Sequence, residues 1–164
     1  MKTKRYEREM AIQYAHKWAY KRNPKYYDFS ELGGDCTNFT SQCLYAGGGV
    51  MNHTQTRGWY YYSLNNRAPA WTGVNEFYRF LTSNSGPGPY AVETGIQKMQ
   101  PGDFIQLSFD GEIFRHCVII VSAGDVPSVK NIQVAAHTFD TDNRPLNTYI
   151  FQKMRCLHIQ GVFF

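Results

Sequence analysis

With 164 residues, 17 Lys and Arg, 13 Asp and Glu and a formal charge of +4, the chain has the size of one domain built on one core, spanning residues 1–164. The basic residues gather in the first 25 positions, and no basic stripe with stacking aromatics follows, which argues against a nucleic-acid binder. No apolar run approaches the roughly 18 residues of a membrane span, and no apolar leader segment opens the chain, so the expectation is a soluble, cytoplasmic protein with no membrane partner.

In chain order, Tyr6, Met10, Ala11, Tyr14, Ala15, Trp18 and Ala19 form the apolar stripe of an amphipathic helix that Asn23-Pro24 ends. Gly33-Gly34-Asp35 then leads into a short helix predicted over 36–46 and stopped by Gly47-Gly48-Gly49. Residues 50 to 73 have no clean period and hold Trp59-Tyr60-Tyr61-Tyr62 and Trp71, an irregular excursion of the kind that often lines sites. Helical spacing returns at 74–81, and 83–89 reads as a Gly/Pro loop. Past Pro101-Gly102-Asp103 the pattern becomes strands, at 104–109, 113–122, 131–137 and about 151–159. Helices first and antiparallel strands afterwards give an α+β domain, its N-terminal helices packed on a C-terminal antiparallel sheet.

The four cysteines, Cys36, Cys43, Cys117 and Cys156, are sparse for a chain with ample core and are expected to be reduced. No CxxC pair or HxxxH spacing sets up a tetrahedral zinc site, and no cofactor is expected. Cys43, Cys117 and Cys156 read as core. Cys36 differs, because it stands at the first turn of a helix, where unpaired N–H groups and the helix dipole favour the nucleophilic thiolate. Asp35 is the expected N-cap, accepting from the Asn38 amide and fixing the turn.

If strands 113–122 and 130–138 form a hairpin turning between Val126 and Pro127, His116 lies opposite His137, with Ile119 opposite Val134 and Val121 opposite Ile132. Opposed residues share a face with Cβ atoms about 4.5–5.5 Å apart. His116 then takes the Cys36 proton and His137 orients the His116 ring, a nucleophile–base–orienter set. Asp140 or Asn143 are the alternative orienters. His16 reads as a surface or helix-flank residue, His158 as structural, and His53 as a loop residue. Trp59, Tyr60 and Trp71 are candidate walls of a substrate groove, since the chain is rich in aromatics, with 12 Tyr, 11 Phe and 3 Trp.

Through Gly33-Gly34-Asp35-Cys36-Thr37-Asn38-Phe39, the segments Tyr14-Ala15 to Trp18-Ala19 and Arg22-Asn23-Pro24, the helix within Trp71 to Phe80, and Ala136-His137-Thr138, the chain resembles the bacterial putative amidase-domain family nearly end to end. That family is similar to the papain-like clan of cell-wall cysteine peptidases and amidases, the NlpC and CHAP types. Asp35-Cys36-Thr37, Pro101-Gly102-Asp103 and the strand opened by His116 match the clan's elements in order. The resemblance implies a papain-like fold, a Cys36–His116–His137 site and a peptide or peptidoglycan substrate. Export by another route would place the chain outside the cell, at the cell wall or spore surface. A catalytically silent binding module and a cysteine acyltransferase are the other readings that this scaffold allows.

Overall fold

In the computed structural model, which describes residues 1–164, the chain begins with β1 (Thr3–Lys4), α1 (Arg8–Trp18) and α2 (Cys36–Gly48). The excursion that follows holds a small hairpin of β2 (Tyr61–Ser63) and β3 (Asn66–Arg67), then α3 (Pro69–Thr72) and α4 (Val74–Ser83). The rest is strands: β4 (Gly88–Thr94), β5 (Phe104–Ser108), β6 (Phe114–Ser122), β7 (Gln133–Ala136), β8 (Thr141–Pro145) and β9 (Lys153–Phe163). The class is α+β, as the order of periodicities implies.

All pairings are antiparallel, and the main sheet runs β4-β9-β5-β6-β7-β8, with β1 beside the far end of β9. Among the strands absent from the sequence reading, β4 and β8 are its edges. An edge strand pairs on one side only, so it tolerates the Gly88-Pro89 start of β4 and the polar Thr-Asp-Asn-Arg-Pro run of β8 without apolar alternation.

Side chains alternate along β6 as a pleated strand requires. Cys117, Ile119 and Val121 join the core beneath the helices, with Phe39, Cys43 and Leu44 of α2, whereas Val118 and Ile120 join a smaller core on the other face, with Ile105, Leu107 and Leu146. From Cys36 to Leu44 every residue of α2 is buried, polar ones included. Buried polar groups need partners, and the irregular segment supplies them. Trp59 Nε1 donates to Ser41 Oγ at 3.0 Å, Ser41 Oγ to the Trp71 carbonyl at 2.9 Å, and Trp71 Nε1 to Asn38 Oδ1 at 3.0 Å. The excursion over 50–73 is therefore a polar-matched wrapping for a central helix.

The Pro101-Gly102-Asp103 turn ties helix to sheet. Asp103 is fully buried and accepts from Arg8 Nη1 (2.7 Å), His158 Nδ1 (2.7 Å) and the backbone of Gln100 and Ile159. This gives His158 its structural part.

The β6–β7 register differs from the predicted one by one residue. Ile119 pairs with Ala135 and Ile120 with Val134, and a bulge between Ile120 and Ser122 shifts the register by a further residue, so that Ser122 pairs with Gln133. A slip of one residue exchanges the faces of a strand. It puts His137, next after Ala136, on the helix side and leaves His116 on the side of Val118 and Ile120.

Candidate active site

The lead-in to α2 is built as its glycines suggest. Gly33 and Gly34 both take positive φ, +85° and +100°, a conformation that side chains resist. They turn the chain so that Cys36 opens the helix.

Asp35 does not cap α2. Its side chain makes no cap bond to the first turn. Instead it accepts from the Phe29 amide (2.8 Å) and Asn38 Nδ2 (2.9 Å) through Oδ1, and meets His137 Nδ1 at 2.5 Å through Oδ2. The N–H groups of the first turn of α2 are thereby left without a side-chain cap, available to an anion.

His137 is 1 % exposed, stacks on Phe39 with ring centroids 4.0 Å apart, and has its Nε2 2.8 Å from the Trp18 carbonyl. With Nδ1 on Asp35 and Nε2 on Trp18, neither ring nitrogen is left to hold a second imidazole. The expected His116–His137 contact is thus replaced by an Asp35–His137 pair. The alternative orienters are also engaged elsewhere or remote. Asp140 pairs with Arg22 at 2.8 Å, and Asn143 is an exposed residue of the edge strand β8 with φ +53°.

Cys36 and His116 do come together, as walls of one cavity of about 440 Å³. The strand β7 stops at Ala136, so the sheet is open beside the first residues of β6, and the cavity occupies this opening. Cys36 and His116 both line it. No hydrogen bond joins the two. Cys36 Sγ rests 3.9 Å from the Arg115 carbonyl and 3.8 Å from Thr37 Oγ1.

Burial sets the charge state of both groups. It pushes the Cys36 thiol upward, against the lowering influence of the Cys117 backbone and of Thr37. The helix N-terminus does not overcome desolvation, contrary to the expectation of a ready thiolate. Burial also holds His116 down, to about 4, with the Arg144 charge acting in the same direction. At neutral pH the pair is a neutral thiol and a neutral imidazole.

The remaining walls were not foreseen. Phe109, Arg115, Phe139, Arg144, Tyr149 and Ile150 line the cavity, mostly from loops after β5 and around β8, and no spacing in the sequence announces them. The predicted walls lie elsewhere. Trp59 and Trp71 are fully buried in the core beneath the excursion, and Tyr60 is buried against His53 and Tyr62.

A comparison with protein families matches residues 5–159 to the family described as Putative amidase domain. The chain belongs to this family. The family's description is that of a hydrolase of amide bonds. A curated Bacillus subtilis (strain 168) relative, named Uncharacterized protein YhbB, is 38 % identical over 144 residues, which are 85 % of this chain and 43 % of the relative. The chain thus spans less than half the length of that relative. No solved structure matches. No helix of this amidase-domain protein is long and apolar enough to cross a membrane.

Proposed function

We propose that this chain is a cysteine-dependent amide-bond hydrolase of papain-like type, with Cys36 as nucleophile and His116 as general base. The observation that carries the reading is the meeting of a helix-N-terminal thiol and an unbonded neutral imidazole on one cavity, in a member of an amidase-domain family. Cys43, Cys117 and Cys156 do not line that cavity.

In the first step His116 takes the thiol proton and Cys36 Sγ attacks the carbonyl carbon. The uncapped N–H groups at the start of α2, that of Cys36 among them, face the developing oxyanion. His116 then returns its proton to the leaving nitrogen as the C–N bond breaks, leaving a thioester. Water, deprotonated by the same imidazole, attacks the thioester, which releases the acid and restores the thiol. Contacts of this kind are often long in the free enzyme and tighten around substrate. His137 has no part in the proton transfers; with Asp35 it holds the ground beneath the nucleophile.

Peptide amides of the bacterial cell wall are the first substrates to test, on the resemblance to the NlpC and CHAP types. Purified peptidoglycan and a panel of peptides are incubated with wild type, Cys36→Ala and His116→Ala, and products are read by mass spectrometry. Products formed by wild type alone support the reading and name the bond. Equal products from wild type and Cys36→Ala would sink it, and would favour a silent binding module.

A further inference from the structure

The cavity at Cys36 has a charge of one sign. Arg115 and Arg144 line it, and no Asp or Glu does. Neither arginine takes part in an ion pair, although Arg8, Arg22 and Arg79 each do. Arg144 is held in place by neutral groups: Nε donates to Thr148 Oγ1 at 2.8 Å, Nη2 to the Thr148 carbonyl at 3.3 Å, and the guanidinium lies 3.5 Å over the Tyr149 ring. An arginine has five N–H donors, so most of this fork is unspent. The Tyr149 hydroxyl is also the one buried side-chain oxygen or nitrogen in the molecule with no hydrogen-bond partner.

Such an arrangement has a cost. A fixed positive charge beside His116 opposes the imidazolium that catalysis must form. An acidic partner on Arg144 would remove that cost, and none is present. Preorganised donors without an acceptor fit a ligand that brings the acceptor with it.

We propose that Arg115 and Arg144 form a carboxylate subsite, so that the preferred substrate is an amide whose neighbouring group carries a free carboxylate. Arg144 supplies a planar fork, the Tyr149 hydroxyl donates a further hydrogen bond, and Arg115 adds charge at the open side. The bound carboxylate also offsets the charge that Arg144 imposes on His116, so the right substrate eases its own proton transfer. Phe139 and Ile150, 88 % and 90 % exposed at the mouth, offer apolar contact to the remainder of the ligand. This inference rests on the reading of Cys36 as nucleophile.

The test uses two alkylating probes of nearly equal size, iodoacetate and iodoacetamide. In both reactions Cys36 Sγ forms a bond to the probe's CH2 carbon and iodide leaves; only the probe's charge differs. Rates at Cys36 are read by mass spectrometry of its peptide and divided by the rates of the same probes with glutathione. The normalised preference for iodoacetate is expected to be about fivefold or more at low salt, to shrink as salt is raised, and to fall to about one in Arg115→Gln/Arg144→Gln. In each variant the iodoacetate rate is divided by that variant's own iodoacetamide rate, so that a change in the ionisation of Cys36 or His116 cancels, and Arg144→Lys retains part of the preference. A preference near one in wild type, or one unchanged in the double variant, overturns the subsite while Cys36 still reacts with iodoacetamide. A Cys36 that is inert to iodoacetamide in the native protein overturns the nucleophile reading and the subsite together.

Discussion

Asp35 Oδ2 and His137 Nδ1 lie 2.5 Å apart although 102 residues separate them in sequence. The pair links the residue before Cys36 to the residue after β7, and so pins both sides of the opening in which the cavity sits. Asp35 is fully buried and His137 nearly so, so removal of one member strands the polar partner away from water. Asp35→Ala and His137→Ala should each lower stability by about 3–5 kcal/mol. Urea unfolding measures this, and a loss under about 1 kcal/mol would show that the pair carries little.

Burial of His116 gives the fold's stability an acid dependence. The folded value of this histidine, about 4, lies below the ordinary 6.5. The unfolded chain therefore binds a proton at a pH where the folded one does not. Stability is complete above about pH 6.5 and falls as pH drops toward 4, by about 3 kcal/mol in all, from this residue. His116→Gln should flatten the slope of unfolding free energy over that window. A slope unchanged by the substitution would place the titration elsewhere.

The thiol predicts a different profile. Burial raises the Cys36 value above that of a free cysteine, so its alkylation by iodoacetamide in the free protein should still be rising above pH 9. A preformed thiolate–imidazolium pair would instead give a plateau across the neutral range. Rates between pH 5 and 10 distinguish the two.

How much of this was legible beforehand follows from where each residue's neighbours lie. The α+β class and the strands β5 and β6 follow from local pattern, as does the position of Cys36 at a helix start, because a glycine turn and an apolar run lie within a few residues. The histidine geometry depended on register, and one bulge past Ile120 moved His137 to the opposite face from His116. Trp59 and Trp71 looked like groove walls because their segment has no period; it lacks one because it must match the polar residues of α2 rather than a sheet. Arg144 and Tyr149 reach Cys36 only through the β7–β8 turn and the segment after β8, a long-range path that leaves no trace in spacing.

Gly47 tests the seat of α2. A Cβ there would lie 2.5 Å from Tyr6 Cε2 and 2.8 Å from the Glu7 carbonyl oxygen. Tyr6 cannot readily swing aside, since its hydroxyl donates to the Gly102 carbonyl at 2.9 Å. Gly47→Ala should cost about 1–3 kcal/mol through overpacking, despite the better helix propensity of alanine. A stabilised variant in thermal melts would mean that the α1 entry relaxes freely.

Wall and core are separable by comparing Phe139 with Trp71. Phe139 projects at the cavity mouth from two successive residues of positive φ, Thr138 at +67° and Phe139 itself at +54°. Its side chain is almost wholly exposed, so Phe139→Ala should leave the melting temperature nearly unchanged, while an apolar substrate that packs on it shows a several-fold higher KM. Trp71 is fully buried, and its indole N–H satisfies Asn38 Oδ1. Trp71→Phe keeps most of the apolar volume but leaves that oxygen unpaired, for a loss of about 1–3 kcal/mol. Asn38 in turn donates to Asp35, so the damage reaches the turn before Cys36 and, on the proposed role of Cys36, should lower kcat more than it raises KM. The reverse pattern, a KM effect at Trp71 and a stability effect at Phe139, would return the tryptophans to the groove and place the substrate on the far side of α2.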